Sequence, residues 1–276
     1  MSPENAAFFR AFVLQRSGLV LTPAKDYLLR SRLEPLVRAE KMSDLCDLIG
    51  RIRMAPTGAL AQKAVDAMAT HESYFFRDGA PFEQLRAKLL PALIERRRSH
   101  RRLRILSAAC SSGQEPYSLA MLMIEQAALM PGFHIDILAT DMADAILERA
   151  RTGWYSDFEV SRGLSAERQA RFMVRDGQGF RVTDAVARMV RFRRHNLLEG
   201  TTGLGRFDLI LCRNVLIYFD PARKAWVLER LAEALEPDGA LMLGSAETVV
   251  GLNSVFSPAV GQRGVFVPGA KVAKVA

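Results

Sequence analysis

Two short stretches of this chain combine residue types that could grip a small charged ligand. The first is Ala108-Ala109-Cys110-Ser111-Ser112-Gly113-Gln114-Glu115-Pro116, a run of small residues ending in a carboxylate, directly after the apolar run Leu103 to Ala109. Small side chains let backbone approach a ligand closely. The run is neither a G-x-G-x-x-G fingerprint nor a P-loop with its lysine, so a dinucleotide or triphosphate is poorly served and a nicotinamide oxidoreductase is disfavoured. The second is Asp141, at the end of the apolar stretch HIDILATD, where a carboxylate can accept both hydroxyls of a ribose. Together they suit a nucleoside without a pyrophosphate, and S-adenosylmethionine is the commonest cofactor of that kind. Asp141 could instead only cap the helix that follows it; residue types alone leave that open.

No Cys/His or Ser/His nucleophile–base constellation surrounds these stretches. Cys46, Cys110 and Cys212 are too few and too scattered for a disulfide framework and lack the paired spacing of a zinc site, so reduced thiols and no metal are expected. The 276 residues, 49% of them hydrophobic, can bury a full core. A formal charge of +8 and a pI near 9.7 draw anionic partners without choosing among nucleic acid, lipid and acidic protein. The basic run Arg96 to Arg102 follows a helical pattern and precedes an apolar strand, which reads as a solvated helix end. The first residues lack a secretory signal pattern and no window approaches roughly 20 apolar residues, so a cytoplasmic chain is expected.

The elements that must position these residues follow from periodicity. From Ala6 to about Ala69 apolar residues recur at helical spacing with breaks at Gly18, Pro23, Pro56 and Gly58, a small all-helical domain. Thr22-Pro23 reads as a hydroxyl cap followed by proline at the first helical position. Beyond the connector FFRDGAPFEQL, strands and helices alternate: strands at Leu103–Ala109, HIDILATD, FDLILC and ALMLGS, with helices at Pro116–Met130, Met142–Arg151 and Pro221–Glu236. Such alternation implies a mostly parallel sheet covered on both faces. Gly177 and Gly179, between apolar-alternating runs, suggest an antiparallel hairpin inserted at about 171–194. Val255-Phe256 and Val265-Phe266-Val267 suggest an antiparallel pair closing the sheet edge, and the tail GAKVAKVA is expected to fray. The division is then 1–78 for the helical domain with its connector and 79–276 for the α/β domain.

Read with their neighbours, these stretches resemble the chemotaxis receptor (protein-glutamate) O-methyltransferase family, the CheR type. HESYFFRD, SAACSSGQEPYSLAM, ATDMADAILERAR, HNLL and FDLILCRNVLIYFD occur in the order and spacing of that family, and the likeness runs from GLVLTPAKDYLLRSRLEPLVR to GSAE at Gly244. The resemblance implies a Rossmann-like methyltransferase fold that binds S-adenosylmethionine and releases S-adenosylhomocysteine. It implies transfer of methyl groups to glutamate carboxylates on the cytoplasmic helices of chemotaxis receptors. A monomer is expected, with neither nucleic acid nor membrane insertion.

By position, the resemblance assigns His71, Ser73 and Arg77 to the methionine part of the cofactor. Glu115 falls to its charged end, Asp141 to the ribose, Asn196 and Leu197 to the adenine side, and Arg213 and Asn214 to the turn after the fourth strand. His71 and Gln114 depart from the family pattern; a histidine can still donate one hydrogen bond. Arg77 and Tyr218 are the catalytic candidates, the first orienting a carboxylate and the second bordering the methyl group, where a ring gains cation–π attraction of about 0.5–2 kcal/mol. Arg30, Arg32 and Arg38 are the substrate-docking candidates. Leu197 and Tyr218 could equally be plain core, and Arg213 a surface ion-pair partner. A turn of Cys212-Arg213-Asn214-Val215 differs from the Asn/Asp-Pro-Pro-aromatic turn of methyltransferases acting on base or glutamine amino groups, which disfavours an RNA acceptor. A non-catalytic cofactor-binding module is the other alternative. The short turn in RDGQGFRV favours action without a tethering peptide from the receptor.

Overall fold

The computed structural model describes residues 1–252 and 255–269. They divide into two compact units: Met1–Thr70 with Tyr218–Lys224, and His71–Ile217 with the rest of the chain from Ala225.

The first unit is helical: α1 (Pro3–Ser17), α2 (Asp26–Ala39), α3 (Leu45–Met54) and α4 (Ala59–Asp66). Its core takes one stripe from each helix, including Phe9 and Val13, Leu29 and Leu33, Leu48 and Ile52, and Ala64 and Val65. Asp44 caps α3 by accepting the N–H groups of Cys46 (2.7 Å) and Asp47 (2.9 Å). The cap expected at Thr22 differs. Its hydroxyl makes no capping bond, and Pro23 opens a short 3-10 turn, Pro23–Lys25, that runs on into α2. Proline supplies the helical φ without needing an N–H partner, so the hydroxyl is not required.

The second unit begins with the connector at His71. Residues 71–78, grouped by sequence with the helical domain, cluster here instead because Phe75 and Phe76 are buried in this unit's core. Two short helices follow, α5 (Ala80–Gln84) and α6 (Leu90–Arg96), joined by a π-turn. Then come β1 (Arg102–Ala108), α7 (Gln114–Glu125), β2 (His134–Asp141), α8 (Asp144–Thr152), β3 (Trp154–Ser156), α9 (Asp157–Ser161), α10 (Ala166–Phe172), β4 (Met173–Asp176), β5 (Gly179–Val182), α11 (Asp184–Ala187), β6 (Val190–Arg194), β7 (Phe207–Cys212), α12 (Pro221–Glu233), β8 (Leu235–Leu243), β9 (Phe256–Pro258) and β10 (Val265–Pro268).

The main sheet has the order β6-β2-β1-β7-β8-β10-β9, parallel from β6 to β8 and antiparallel at the β8–β10–β9 edge. All six residues of β7 are buried, as both-face coverage of a parallel strand requires. The chain runs outward from β1 to β2 and β6 on one side and from β7 to β8 on the other, so the order reverses between β1 and β7. The closing pair β9–β10 lies where Val255-Phe256 and Val265–Val267 had placed it; the tail beyond Gly269 lies outside the described residues.

The inserted sheet differs from a hairpin over 171–194. It has three strands, β3-β5-β4, and its first comes from Trp154–Ser156 upstream. Gly179 makes this possible, since a Cβ there would lie 2.5 Å from both the Trp154 ring and the Tyr155 carbonyl. Val190–Arg194 is not part of it but pairs in parallel with β2, Asp141 opposite Arg194. The basic run after α6 is only partly a solvated helix end: Arg97 bonds the carboxylates of Asp208 and Asp238. No helix among the described residues is long and apolar enough to cross a membrane.

Candidate cofactor site at the carboxyl ends of the strands

The turn after β1 is held in a shape that its side chains do not favour. Ala109 and Ser111 have φ of +55° and +53°, and Gly113 has +94°; for a residue with a Cβ the left-handed region costs about 1 kcal/mol. Neighbours compel it. Cys110 N–H donates to the Thr140 carbonyl at 2.8 Å, Ser111 N–H to Asp141 Oδ2 at 2.9 Å, and the Ser111 hydroxyl to the His71 carbonyl at 3.1 Å. The Tyr155 hydroxyl, kept protonated by burial, donates to the Ser112 carbonyl at 2.7 Å. At Gly113 a Cβ would stand 3.0 Å from the Ala150 Cβ and from that hydroxyl. Strain held this way marks a segment shaped for a ligand.

Asp141 stands beside this turn with its carboxylate buried. Oδ1 accepts the Ala143 N–H at 3.1 Å, while the helix-capping position belongs to Ala143 itself. Asp141 is therefore not the cap of α8. Each of its oxygens accepts one backbone N–H and keeps acceptor capacity for a hydroxyl. The β6 end lies alongside, because His195 N–H donates to the Asp141 carbonyl at 2.9 Å. The next two residues are Asn196, whose Oδ1 accepts the Leu198 N–H at 3.1 Å and starts a short 3-10 turn, and Leu197, which is buried. Burial holds the His195 imidazole below its ordinary range.

Where the strand order reverses, a charged chain crosses from β1 to β7. The Ser107 hydroxyl donates to Glu115 Oε1 at 2.8 Å, and Arg213 donates to Glu115 Oε2 at 3.1 Å, to Asp78 Oδ2 at 2.9 Å and to the Arg77 carbonyl at 2.9 Å. The Arg213 side chain is 1% exposed, so the surface-pair alternative does not hold. Arg77 itself reaches back to the Glu72 carbonyl at 2.7 Å. Arg77 Nε and Arg213 Nε are buried and meet no acceptor among the described residues. A carboxylate for an ammonium, two guanidinium N–H groups for a carboxylate, an acid for a ribose and an exposed backbone cradle match an amino-acid-bearing nucleoside.

The two buried thiols are not nucleophiles. Burial, reinforced by Asp141 and Glu115, pushes Cys110 up, and burial with Glu247 and Glu115 does the same to Cys212. No cluster able to hold a metal ion occurs among the described residues.

Most of the residues singled out by sequence gather here: Arg77, Glu115, Asp141, Asn196, Leu197, Arg213 and Asn214. His71 enters through its carbonyl, and the Ser73 hydroxyl makes no hydrogen bond within the described residues. Tyr218 clusters with the helical unit, where its carbonyl accepts the Val20 N–H at 3.0 Å. Also in that unit, Arg32 is a clamp: its guanidinium donates to the carbonyls of Met68 and Ala69 and to the Thr70 hydroxyl. Arg30 and Arg38 are exposed.

Sequence reasoning passed over Ser107, Asp78 and Glu247. Ser107 and Glu115 lie one strand end and one helix start apart, and nothing in their spacing announces a bond. Glu247 accepts four backbone N–H groups around Asn214; its only trace in sequence is the GSAE run. A second set ties the insertion to the connector: Arg162 pairs with Glu72 at 2.8 Å and lies 4.3 Å over the Tyr74 ring. That bond, with Arg77 nearby, lowers the Glu72 carboxyl.

Comparison with known proteins agrees with this geometry. The family model described as CheR methyltransferase, SAM binding domain, matches residues 71–265, and that described as CheR methyltransferase, all-alpha domain, matches residues 4–69. The chain is 44% identical over 259 residues to chemotaxis protein methyltransferase 1 of Vibrio cholerae, covering 93% of each. It is 42% identical over 255 residues to chemotaxis protein methyltransferase 1 of Pseudomonas aeruginosa, covering 90% of this chain and 92% of that one. The all-helical unit, the parallel sheet with its strand-end acid and the sequence likeness over both units agree: this chain belongs to the CheR methyltransferase family and is an S-adenosylmethionine-dependent methyltransferase.

Proposed function

We propose that the chain methylates glutamate side-chain carboxylates on the cytoplasmic helices of chemotaxis receptors, acting as a cytoplasmic monomer and leaving methyl esters and S-adenosylhomocysteine. The observation that carries this reading is the constellation at the strand ends, Asp141 beside the cradle of 109–113 and Glu115 paired with Arg213 at the β1–β7 reversal. The names of the relatives support the acceptor.

Bound S-adenosylmethionine supplies an electrophilic sulfonium methyl, which an anionic carboxylate displaces in line. A glutamate with an ordinary pKa of about 4.3 is already ionised at neutral pH, so no general base is needed, in keeping with the inert thiols. The protein's task is orientation. In this reading Asp141 accepts the ribose hydroxyls, Glu115 attracts the ammonium, and Arg77 and Arg213 turn Nε–H towards a carboxylate. Asn196 and Leu197 border the adenine, and Ser73 offers a hydroxyl nearby. The exposed Arg30 and Arg38 of α2 supply charge for acidic receptor helices, while Arg32 is occupied within its own unit. The β4–β5 turn consists of Gly177-Gln178 alone, which supports action without a tethering peptide.

The test is methyl-labelled cofactor with a receptor cytoplasmic fragment. Label on the fragment that alkali releases is expected, since esters hydrolyse and methylamines do not; alkali-stable label, or label on RNA instead, would refute the acceptor. Arg77→Ala should lose transfer while keeping its circular dichroism.

A further inference from the structure

We infer that Glu247 is a positioning residue for the amino-acid end of the cofactor, acting through Arg213 and Asn214; this rests on the cofactor reading of those two residues. Its carboxylate anchors four backbone N–H groups. Oε2 accepts from Gly244 at 2.7 Å and Asn214 at 2.8 Å, and Oε1 accepts from Val215 at 3.0 Å and Leu216 at 2.7 Å. Three of the donors are consecutive residues of the turn that leaves β7. One side chain, rather than bonds within the turn, therefore sets its path.

The turn needs such an anchor. Asn214 has φ +60°, an unfavourable region for a residue with a Cβ, and charge-assisted bonds to a carboxylate offset that cost. Space is shaped around the contact: a Cβ on Gly244 would come within 2.7 Å of Glu247 Oε2 and 2.9 Å of Asn214 Nδ2. Glycine thus lets the carboxylate tuck beneath the turn. A carboxylate offers about four acceptor positions, and four donors use them, so Glu247 has no capacity left to act as a base or to ligate the cofactor directly. What it controls is the direction in which Arg213, the preceding residue, leaves the strand towards Glu115 and Asp78.

Replacing the carboxylate by an amide isolates this role, because an amide turned either way presents its NH2 to one of the two donor pairs. In the full-length chain, Glu247→Gln should weaken binding of S-adenosylhomocysteine and raise KM for the cofactor by roughly tenfold, the scale of a buried donor left unpaired. KM for the receptor fragment should stay unchanged. Glu247→Asp, which keeps both oxygens, should fall between Glu247→Gln and the natural protein. In an Arg213→Ala background Glu247→Gln should add little further loss. Full additivity would overturn the proposal. Unchanged cofactor affinity in Glu247→Gln, with affinity lost in Arg213→Ala, would sink the role of Glu247 and leave the site standing. Natural affinity in both variants would sink the cofactor reading as well. If Glu247→Gln does not fold, Glu247→Asp decides: weakened product binding supports the role and unchanged binding overturns it.

Discussion

Replacing Asp141 by asparagine separates the structural work of this residue from its binding work. In the native protein its two oxygens accept the N–H groups of Ser111 and Ala143. Asparagine can serve one of them, and its NH2 must then face the other. A buried donor left unpaired costs about 1–3 kcal/mol. In a chain of this size that lowers Tm by roughly 2–4 °C for each kcal/mol, so a fall of roughly 3–10 °C is expected. Binding suffers separately, because a charged acceptor for the ribose hydroxyls becomes a neutral one. Losing one charge-assisted bond, worth about 1.5–3 kcal/mol, weakens S-adenosylhomocysteine affinity roughly tenfold to a hundredfold. Differential scanning calorimetry and titration calorimetry read the two effects. The control is Asp136→Asn at the other end of β2, where the carboxylate bonds Arg104 and Arg191. It should lower Tm and leave affinity intact. A lowered Tm with unchanged affinity in Asp141→Asn would refute the ribose assignment, and an unchanged Tm would refute the hydrogen-bond reasoning itself.

Other expectations follow from particular contacts. In Gly163→Ala the new Cβ would lie 1.9 Å from the Phe75 carbonyl oxygen at φ +102°, so the connector or the α9–α10 loop must move, at a cost of about 3 kcal/mol or more. Gly177→Ala, at φ +60° with open space around it, should cost only about 1 kcal/mol, and equal melting temperatures for the two would contradict the close approach. Charge reversal at Arg30 and Arg38 together should raise KM for the receptor fragment severalfold at low salt, an effect that about 0.5 M salt should erase. Arg32→Glu should instead lower Tm, and kinetics indifferent to Arg30 and Arg38 would remove α2 from the docking surface. His195 carries a pH dependence. Burial depresses its folded pKa below the ordinary 6.5, so the unfolded chain takes up the proton first. Stability should therefore fall as pH drops from 6.5 towards the folded value and level off below it. A His195→Phe variant should lack that slope, and an identical slope would place its origin elsewhere.

Much of this was legible in residue order. The alternation of buried runs with amphipathic ones implies a parallel sheet whichever helices cover it, and strands ending in Ala108, Asp141 and Cys212 deliver the site to one edge because parallel strands share a direction. Where periodicity was weak the reading slipped. Three residues at Trp154–Ser156 are too few to show alternation, so β3 was passed over. Val190–Arg194 alternates as an antiparallel strand would, and only its pairing with β2 assigns it to the main sheet.

What the linear chain determined by itself is local and chemical: small residues after β1, an acid at the end of β2, a hydroxyl-and-proline start to the second helix, and types that exclude a phosphate loop or a metal. What tertiary structure alone decided is which charges meet. Ser107, Glu115, Arg213 and Asp78 form one buried set, Glu247 closes on a turn reached from another strand, and Arg32 is turned onto carbonyls of its own unit. Local spacing governs hydrogen bonds within a turn or helix, whereas partners separated by whole elements become neighbours only when the sheet's order sets their strand ends side by side.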